Sequence, residues 1–369
     1  MESREKSSSR SGALARLGQL RLSLSKLEVD ALLVSHLPNI QYLCGFTGSA
    51  GLFLVDASGA TLFTDSRYTF QARQEVSGAR VQIAKRGLLR AVSQALSARK
   101  RRCRLGYSPS QVTVAQKQAL EAGTGSHVRW VNADNTVEKL RAVKDEDELI
   151  RMRDSAGLIS AVFGQLVGQI KPGVTEAHLA AVIEYEIKQR GASGTSFEPI
   201  VASGERSAWA HARPTSKPLR KNELVVLDQG AILRGYCSDM TRTVFLGRAP
   251  KRILSLYKAV LEAQEAAKRV IKPGITAGEV DKAARGVLKR SKLAEYFTHS
   301  TGHGLGLEIH EMPRLGKGEK TVLQEGMVVT VEPGVYLEGL GGIRIEDEVV
   351  VTAKGSVDLT SAPRDFLEL

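Results

Sequence analysis

Apolar side chains recur at helical spacing near the start of the chain, at Leu14, Leu17, Leu20, Leu24 and Leu27, and predict a helix over 14–27. The run at 30–35 (DALLVS) reads as a buried strand, and 51–65 as a hairpin turning at Ala57, Ser58 and Gly59. Helical patterns over about 67–76, 88–99 and 113–122 alternate with short β-type runs at 80–83, 104–107 and 128–131. That alternation predicts a compact α/β domain ending near residue 135. A charged stretch, 141–148, reads as the join, and Asp145 with Glu148 has the spacing of a helix-capping pair. The following helix carries Leu149, Met152, Ile159, Val162, Phe163, Leu166 and Ile170 along one broad face.

The rest of the chain repeats itself. Ile170-Lys171-Pro172-Gly173-Val174-Thr175 returns as Ile271-Lys272-Pro273-Gly274-Ile275-Thr276. His211-Ala212-Arg213-Pro214 is answered by His310-Glu311-Met312-Pro313, and the apolar run ending in Asp228 by the one ending in Glu332. The offsets are 101, 99 and 104 residues, so the blocks stay in register. Two copies of one helix-helix-strand unit, facing each other across a pseudo-twofold axis, would enclose a site. Each copy would give it one histidine and acidic groups.

Composition narrows the class. A chain of 369 residues has room for two domains, and 42% hydrophobic with 25% charged residues is ordinary for a globular protein. No apolar run approaches the ~18 residues that span a bilayer. Residues 1–12 are Ser/Arg-rich and lack the apolar core of a secretory signal, and read as a disordered tail on a cytoplasmic protein. Cys44, Cys103 and Cys237 are scattered, which excludes a disulfide framework and a zinc ribbon. The net charge of +12 raises nucleic acid as a partner. The densest basic run, Arg99-Lys100-Arg101-Arg102, has no interleaved aromatics, so it reads as a solvated face and argues against that partner.

Three of the seven histidines, His299, His303 and His310, fall within 299–314, among Gly302, Gly304 and Gly306. The stretch is not an H-E-x-x-H zinc helix. Imidazole is still the commonest neutral metal ligand and the commonest acid or base near pH 7, and the glycines suggest backbone passing close to a metal. Asp228 ends one apolar run and Asp239 opens the next, with Arg234-Gly235 as the turn between them. In such a hairpin both carboxylates emerge roughly opposite each other on one face. The second half repeats the device: Glu332 ends one strand, Glu346 lies in the next, and the turn falls at 338–342. Four converging carboxylates repel one another, and burying them unpaired is costly. Two divalent cations, held by the four carboxylates and one imidazole, resolve the conflict. Oxygen-rich ligation favours Mn²⁺, with Co²⁺, Fe²⁺ or Zn²⁺ as alternatives, and such a pair activates a water.

These residues resemble the five metal ligands of the pita-bread metallopeptidases, in order and in context. The matches are Asp228, Asp239 in Ser238-Asp239-Met240-Thr241-Arg242-Thr243, His303 in Gly302-His303-Gly304-Leu305-Gly306, Glu332 in Glu332-Pro333-Gly334, and Glu346 in Arg344-Ile345-Glu346-Asp347. The segment 204–211, ending in His211, is similar to that of the aminopeptidase P and prolidase branch, as are 42–49 and 64–68 in the first domain. The resemblance implies an α/β (α+β) architecture: a creatinase-like domain over 13–137 and a pita-bread catalytic domain over 138–369. It further implies two Mn²⁺ or Co²⁺ ions, proline-containing peptides as substrates, cleavage before proline, and a homodimer. Asp239, His303 and Glu332 would serve one ion and Asp228 the other, with Asp239 and Glu346 bridging. Glu332 would move the proton, His211 and His310 would bind the scissile carbonyl or proline side, and Arg344 would orient the site. Arg314 resembles a position near the substrate carboxylate in prolidases. The first-domain segments favour an Xaa-Pro aminopeptidase. An Xaa-Pro dipeptidase and an inactive pita-bread binding protein are the alternatives.

Overall fold

The computed structural model describes residues 2–99 and 102–369, with side chains from residue 12 onward. The chain divides into two units, 1–141 and 142–369. In the first, the helix Glu2–Lys26 buries Ala13, Leu17, Leu20 and Leu24, while Leu14 and Leu27 remain exposed. The stretch 1–12 was expected as a tail. From Glu2 its backbone continues this helix, since no proline interrupts it; Met1 and the side chains up to Ser11 lie outside the described residues.

Six strands form one mixed sheet in the order Arg80–Ile83, Ala60–Thr64, Leu52–Asp56, Ala31–Val34, Cys103–Tyr107, Val128–Asn132. Ala60–Thr64, Leu52–Asp56 and Ala31–Val34 are antiparallel neighbours, and the other pairings are parallel. The turn at 57–59 is held by Asp56 Oδ1, which accepts from the N–H of Ser58 (2.8 Å) and of Gly59 (3.0 Å). Helix Leu88–Ser97 covers the sheet with Ala91, Val92 and Leu96. Helix Leu37–Cys44 escaped the periodicity reading, because eight residues with a proline in the first turn offer too short a window. Of the basic run, Lys100 and Arg101 lie outside the described residues. Arg99, the first residue of the run, pairs with Asp56, and Arg104, just beyond it, with Glu28 at 2.9 Å.

The second unit shows the repeat in its backbone. Helices Glu146–Leu166 and Glu176–Gln189 build one core with the antiparallel strands Ile200–Ser203, Glu223–Gln229 and Met240–Leu246. Helices Lys251–Val270 and Ala277–Arg290 build another with the strands between Gly302 and Thr352. The two Lys-Pro-Gly turns make matching hydrogen bonds. Gly173 N–H donates to Leu219 O and Gly274 N–H to Leu323 O, both at 2.9 Å. Leu219 N–H donates to Val174 O and Leu323 N–H to Ile275 O, both at 2.8 Å. Asp145 and Glu148 cap the first of these helices reciprocally, at 2.9 and 3.0 Å.

The first acidic hairpin turns at Arg234 (φ 49°) and Gly235 (φ 83°), the two left-handed residues of a tight hairpin. Asp228 faces Thr241 across the strands, so Asp239, two residues before Thr241, is its diagonal neighbour on the same face, not the residue opposite. The second hairpin departs further from expectation. Strand Val328–Val331 pairs with Asp347–Thr352 and not with Gly341–Arg344, which instead pairs with Gly334–Leu337. Both segments change sheet at Glu332-Pro333 and Ile345-Glu346, so the two glutamates sit at the breaks and not within strands. Pro333 has no N–H to continue a ladder.

Gly302 and Gly304 serve strand packing. A Cβ at Gly302 would collide with the Thr330 carbonyl, and one at Gly304 with the carbonyl of Met312. The close approach expected towards metal is therefore made towards neighbouring backbone. Gly302→Ala is expected to cost about 1–3 kcal/mol by overpacking, checked as a fall of several degrees in Tm.

Candidate metal centre

Three ligand-type side chains from three chain segments meet. Single ligand atoms of Asp239, His303 and Glu346 all lie within 4.8 Å of one another. His303 Nε2 is 3.5 Å from Asp239 Oδ2 and 3.7 Å from Glu332 Oε1. His303 comes from the short strand Gly302–Gly304, and its Nδ1 bonds the carbonyl of Gly304 at 3.0 Å. That contact directs the Nε2 lone pair at the carboxylates, a common way to orient an imidazole ligand. Burial, with His310 nearby, lowers the His303 pKa to about 4, so the ring is neutral and able to bind a cation.

The acidic residues are held by their own backbone. Asp239 N–H donates to Glu348 Oε1 at 2.7 Å. Glu346 N–H donates to Thr241 O (3.1 Å), and Thr241 Oγ1 donates to Glu346 Oε2 (2.7 Å), which ties the second half of the site to the first. Glu332 N–H donates to Thr301 O at 2.8 Å. Arg344 Nη2 donates to Asp228 Oδ2 at 2.6 Å, and its other donors reach Thr241 Oγ1, Ala210 O and Tyr336 Oη at 2.7–3.0 Å.

The electrostatics are those of an unneutralised acidic cluster. Burial, then the charges of Glu346, Asp228, Glu332 and Glu348, raises Asp239 well above the usual carboxylate range. Burial, then Glu332 and Asp228, does the same to Glu346. Burial raises Glu332 to about 8 against the opposing pull of Arg344. Asp228 Oδ1 is buried with no hydrogen-bond partner. Such an orphaned oxygen is costly, and here it belongs to a set of four carboxylates and one neutral imidazole. That donor chemistry fits divalent cations with a preference for oxygen.

The remaining expected residues lie around this cluster. His310 stands at the rim with its ring centroid 4.3 Å from that of His303, and burial followed by His211 lowers its pKa. His211 is exposed, on the loop after Gly204–Ala208, within electrostatic reach of His310 and His299. Arg314 lies directly across from His303 on strand Glu311–Leu315. Two neighbours carried no assigned role in the sequence reading. His299 Nε2 is 2.9 Å from Tyr336 Oη and its Nδ1 is 4.0 Å from Glu332 Oε2. Burial, then Arg344, lowers the His299 pKa to about 4. The available signals were the position of His299 in the histidine-rich stretch and of Tyr336 four residues after Glu332.

Two family models match the chain. Metallopeptidase family M24 covers residues 150–353, and the creatinase/prolidase N-terminal domain covers 16–143. The chain belongs to metallopeptidase family M24. It is thus a metal-dependent hydrolase of the pita-bread type with a creatinase-like first domain, and the inactive binding-protein reading falls away. An Xaa-Pro dipeptidase of Pyrococcus horikoshii is 34% identical over 345 residues, 93% of this chain and 96% of the relative. Among solved structures, an Xaa-Pro dipeptidase from Bacillus anthracis superimposes with TM-score 0.93 at 35% identity, covering 97% of this chain and all of that one. An X-Pro aminopeptidase from Thermotoga maritima reaches TM-score 0.86 at 35% identity, covering 93% and 98%. Among the described residues, no helix of this M24 peptidase is long and apolar enough to cross a membrane.

Proposed function

We propose that this M24 metallopeptidase is an Xaa-Pro dipeptidase using two divalent ions, Mn²⁺ first among them. The relatives support this reading better than the aminopeptidase expected from the first-domain segments, since dipeptidases recur among them in sequence and in structure. One observation carries it. Directly opposed residues on antiparallel strands share a face, and Arg314 opposes His303 while exposed to solvent. Among the described residues no acidic group stands in ion-pair contact with Arg314. A dipeptide puts its C-terminal carboxylate one residue beyond the scissile bond, within the reach of such a guanidinium. A longer peptide has no charge there.

In this reading Asp228, Asp239, His303, Glu332 and Glu346 hold the ions. When bound, the ions supply Lewis acidity and a water acidified towards neutrality. Glu332 takes the proton from the attacking water and hands it to the proline nitrogen, which must be protonated to leave as a secondary amine. His310 and His211 offer N–H groups to the scissile carbonyl oxygen as it gains charge. Arg344 fixes Asp228 and, through Ala210 O, the backbone just ahead of His211. A homodimer belongs to the same reading and is checked by sedimentation. A cytoplasmic location is supported by cysteines that are few, scattered and buried.

The test compares kcat/KM for an Xaa-Pro dipeptide, its C-terminal amide and an Xaa-Pro-Yaa tripeptide with Mn²⁺ present. The dipeptide is expected to be the preferred substrate. Arg314→Gln is expected to raise its KM by about 10–100-fold, the worth of one charge-assisted hydrogen bond, and to leave the amide nearly unchanged. Equal or better cleavage of the tripeptide would return the assignment to aminopeptidase.

A further inference from the structure

A buried ion pair lies outside the chemistry assigned so far. The Lys144 ammonium, on a side chain 1% exposed, is 3.5 Å from Glu311 Oε2, on a side chain 5% exposed. Water is excluded from both, so desolvation offsets most of their mutual attraction, and an apolar pair of the same shape would serve stability as well. What the charged pair adds is direction.

Glu311 follows His310 in the chain. His310 is the exposed last residue of the bend and Glu311 the first of the strand Glu311–Leu315, so anchoring the Glu311 carboxylate fixes where the bend ends and holds His310 at the rim. The pair is anchored at several points. Lys144 N–H donates to Gly326 O at 3.0 Å, and Val143 bridges Met327, just before the strand Val328–Val331 that leads to Glu332. Glu308 N–H donates to Glu311 Oε1 at 3.1 Å, and Gly306 N–H to Glu308 O at 3.0 Å. Gly306 O accepts from Cys237 N–H at 2.7 Å. A Cβ at Gly306 would stand 2.8 Å from the Glu311 carboxylate, so the bend is closed tightly around that group.

We infer that Lys144 is a positioning residue: acting through Glu311, it fixes the bend at 306–311 and with it the orientation of the His310 imidazole against His303. The inference rests on the proposed role of His310 in binding the scissile carbonyl. Lys144 bonds Gly326, Ala142 and Glu311, none of them a proposed metal ligand.

The test is a double-mutant cycle on the full chain, assayed with Mn²⁺ and an Xaa-Pro dipeptide. Lys144→Met is expected to lower kcat about 10–100-fold, the scale of an ångström-level misplacement, with KM and bound-metal content nearly unchanged and with partial rescue in Lys144→Arg. In a His310→Ala background the same change is expected to add nothing. An equal loss in both backgrounds, or an unchanged kcat, overturns the inference. Should Lys144→Met not fold, Glu311→Gln breaks the pair from the other side under the same expectations. A readout independent of turnover is the His310 ring resonance of the metal-free protein, expected to shift in the variant; an unmoved resonance also counts against the role. If the wild type cleaves no Xaa-Pro substrate, the proposed function fails, while the resonance still decides the positioning.

Discussion

Glu332→Gln is expected to lower kcat by about 10³-fold or more, towards the upper part of the range for loss of a positioned acid/base group, while the chain stays folded. The substitution keeps the shape of the side chain and the backbone bond from Glu332 N–H to Thr301 O. It removes the negative charge and the ability to accept a proton. The carboxylate stands between His303 and His299, 3.7 and 4.0 Å from their ring nitrogens, where the strand breaks at Pro333. In the proposed mechanism the same carboxylate would serve the attacking water and the leaving nitrogen in turn. Kinetics on Mn²⁺-loaded protein, with metal content measured alongside, separate loss of proton transfer from loss of a ligand. Full activity with metal bound would remove Glu332 from its assigned role.

The second large effect concerns metal removal and pH. In the metal-free chain Glu332 has its pKa raised to about 8, and Asp239 and Glu346 are also raised, burial being the leading cause in each case. A carboxylate whose folded pKa exceeds its unfolded value holds a proton in the folded state that the unfolded chain has already lost. The contribution of these carboxylates to stability therefore falls as pH rises from about 4.5 to about 8, while His299 and His303, their pKa values lowered to about 4, oppose it only below about pH 6.5, so the carboxylates set the trend above that. With chelator present, Tm at pH 8 is expected to lie about 5–10 °C below Tm at pH 5.5. Saturating Mn²⁺ is expected to abolish or reverse that difference, because the cations take the place of the protons. The same exchange predicts proton release when Mn²⁺ is added to the metal-free protein near pH 7. A chelated protein equally stable at both pH values would mean that the carboxylates do not converge as described.

Much of the architecture was readable because it is locally encoded. The turn at Arg234-Gly235 needs two left-handed residues, the capping pair Asp145 and Glu148 needs only its spacing, and the repeated Lys-Pro-Gly turns carry their hydrogen bonds with them. The acidic set was readable for a related reason: carboxylates at the ends of apolar runs are expensive unless something neutralises them. The second hairpin was misread because strand partnership is not local. A run of Val328 to Val331 carries no mark saying that it pairs with Asp347–Thr352 and not with Gly341–Arg344.

Residue type and spacing thus set the repeat, the candidate donor atoms and the family to which this chain belongs. Tertiary structure decided which donors meet. It made Asp228 and Asp239 diagonal neighbours, placed Glu332 and Glu346 at strand breaks, aimed His303 Nε2 through the Gly304 carbonyl, and put His299 and Tyr336 beside Glu332 and Arg344. The physical reason is one of range. Turns, caps and burial costs act within a few residues, whereas the orientation of a carboxylate depends on groups more than a hundred residues away, such as Thr241 for Glu346 and Arg344 for Asp228.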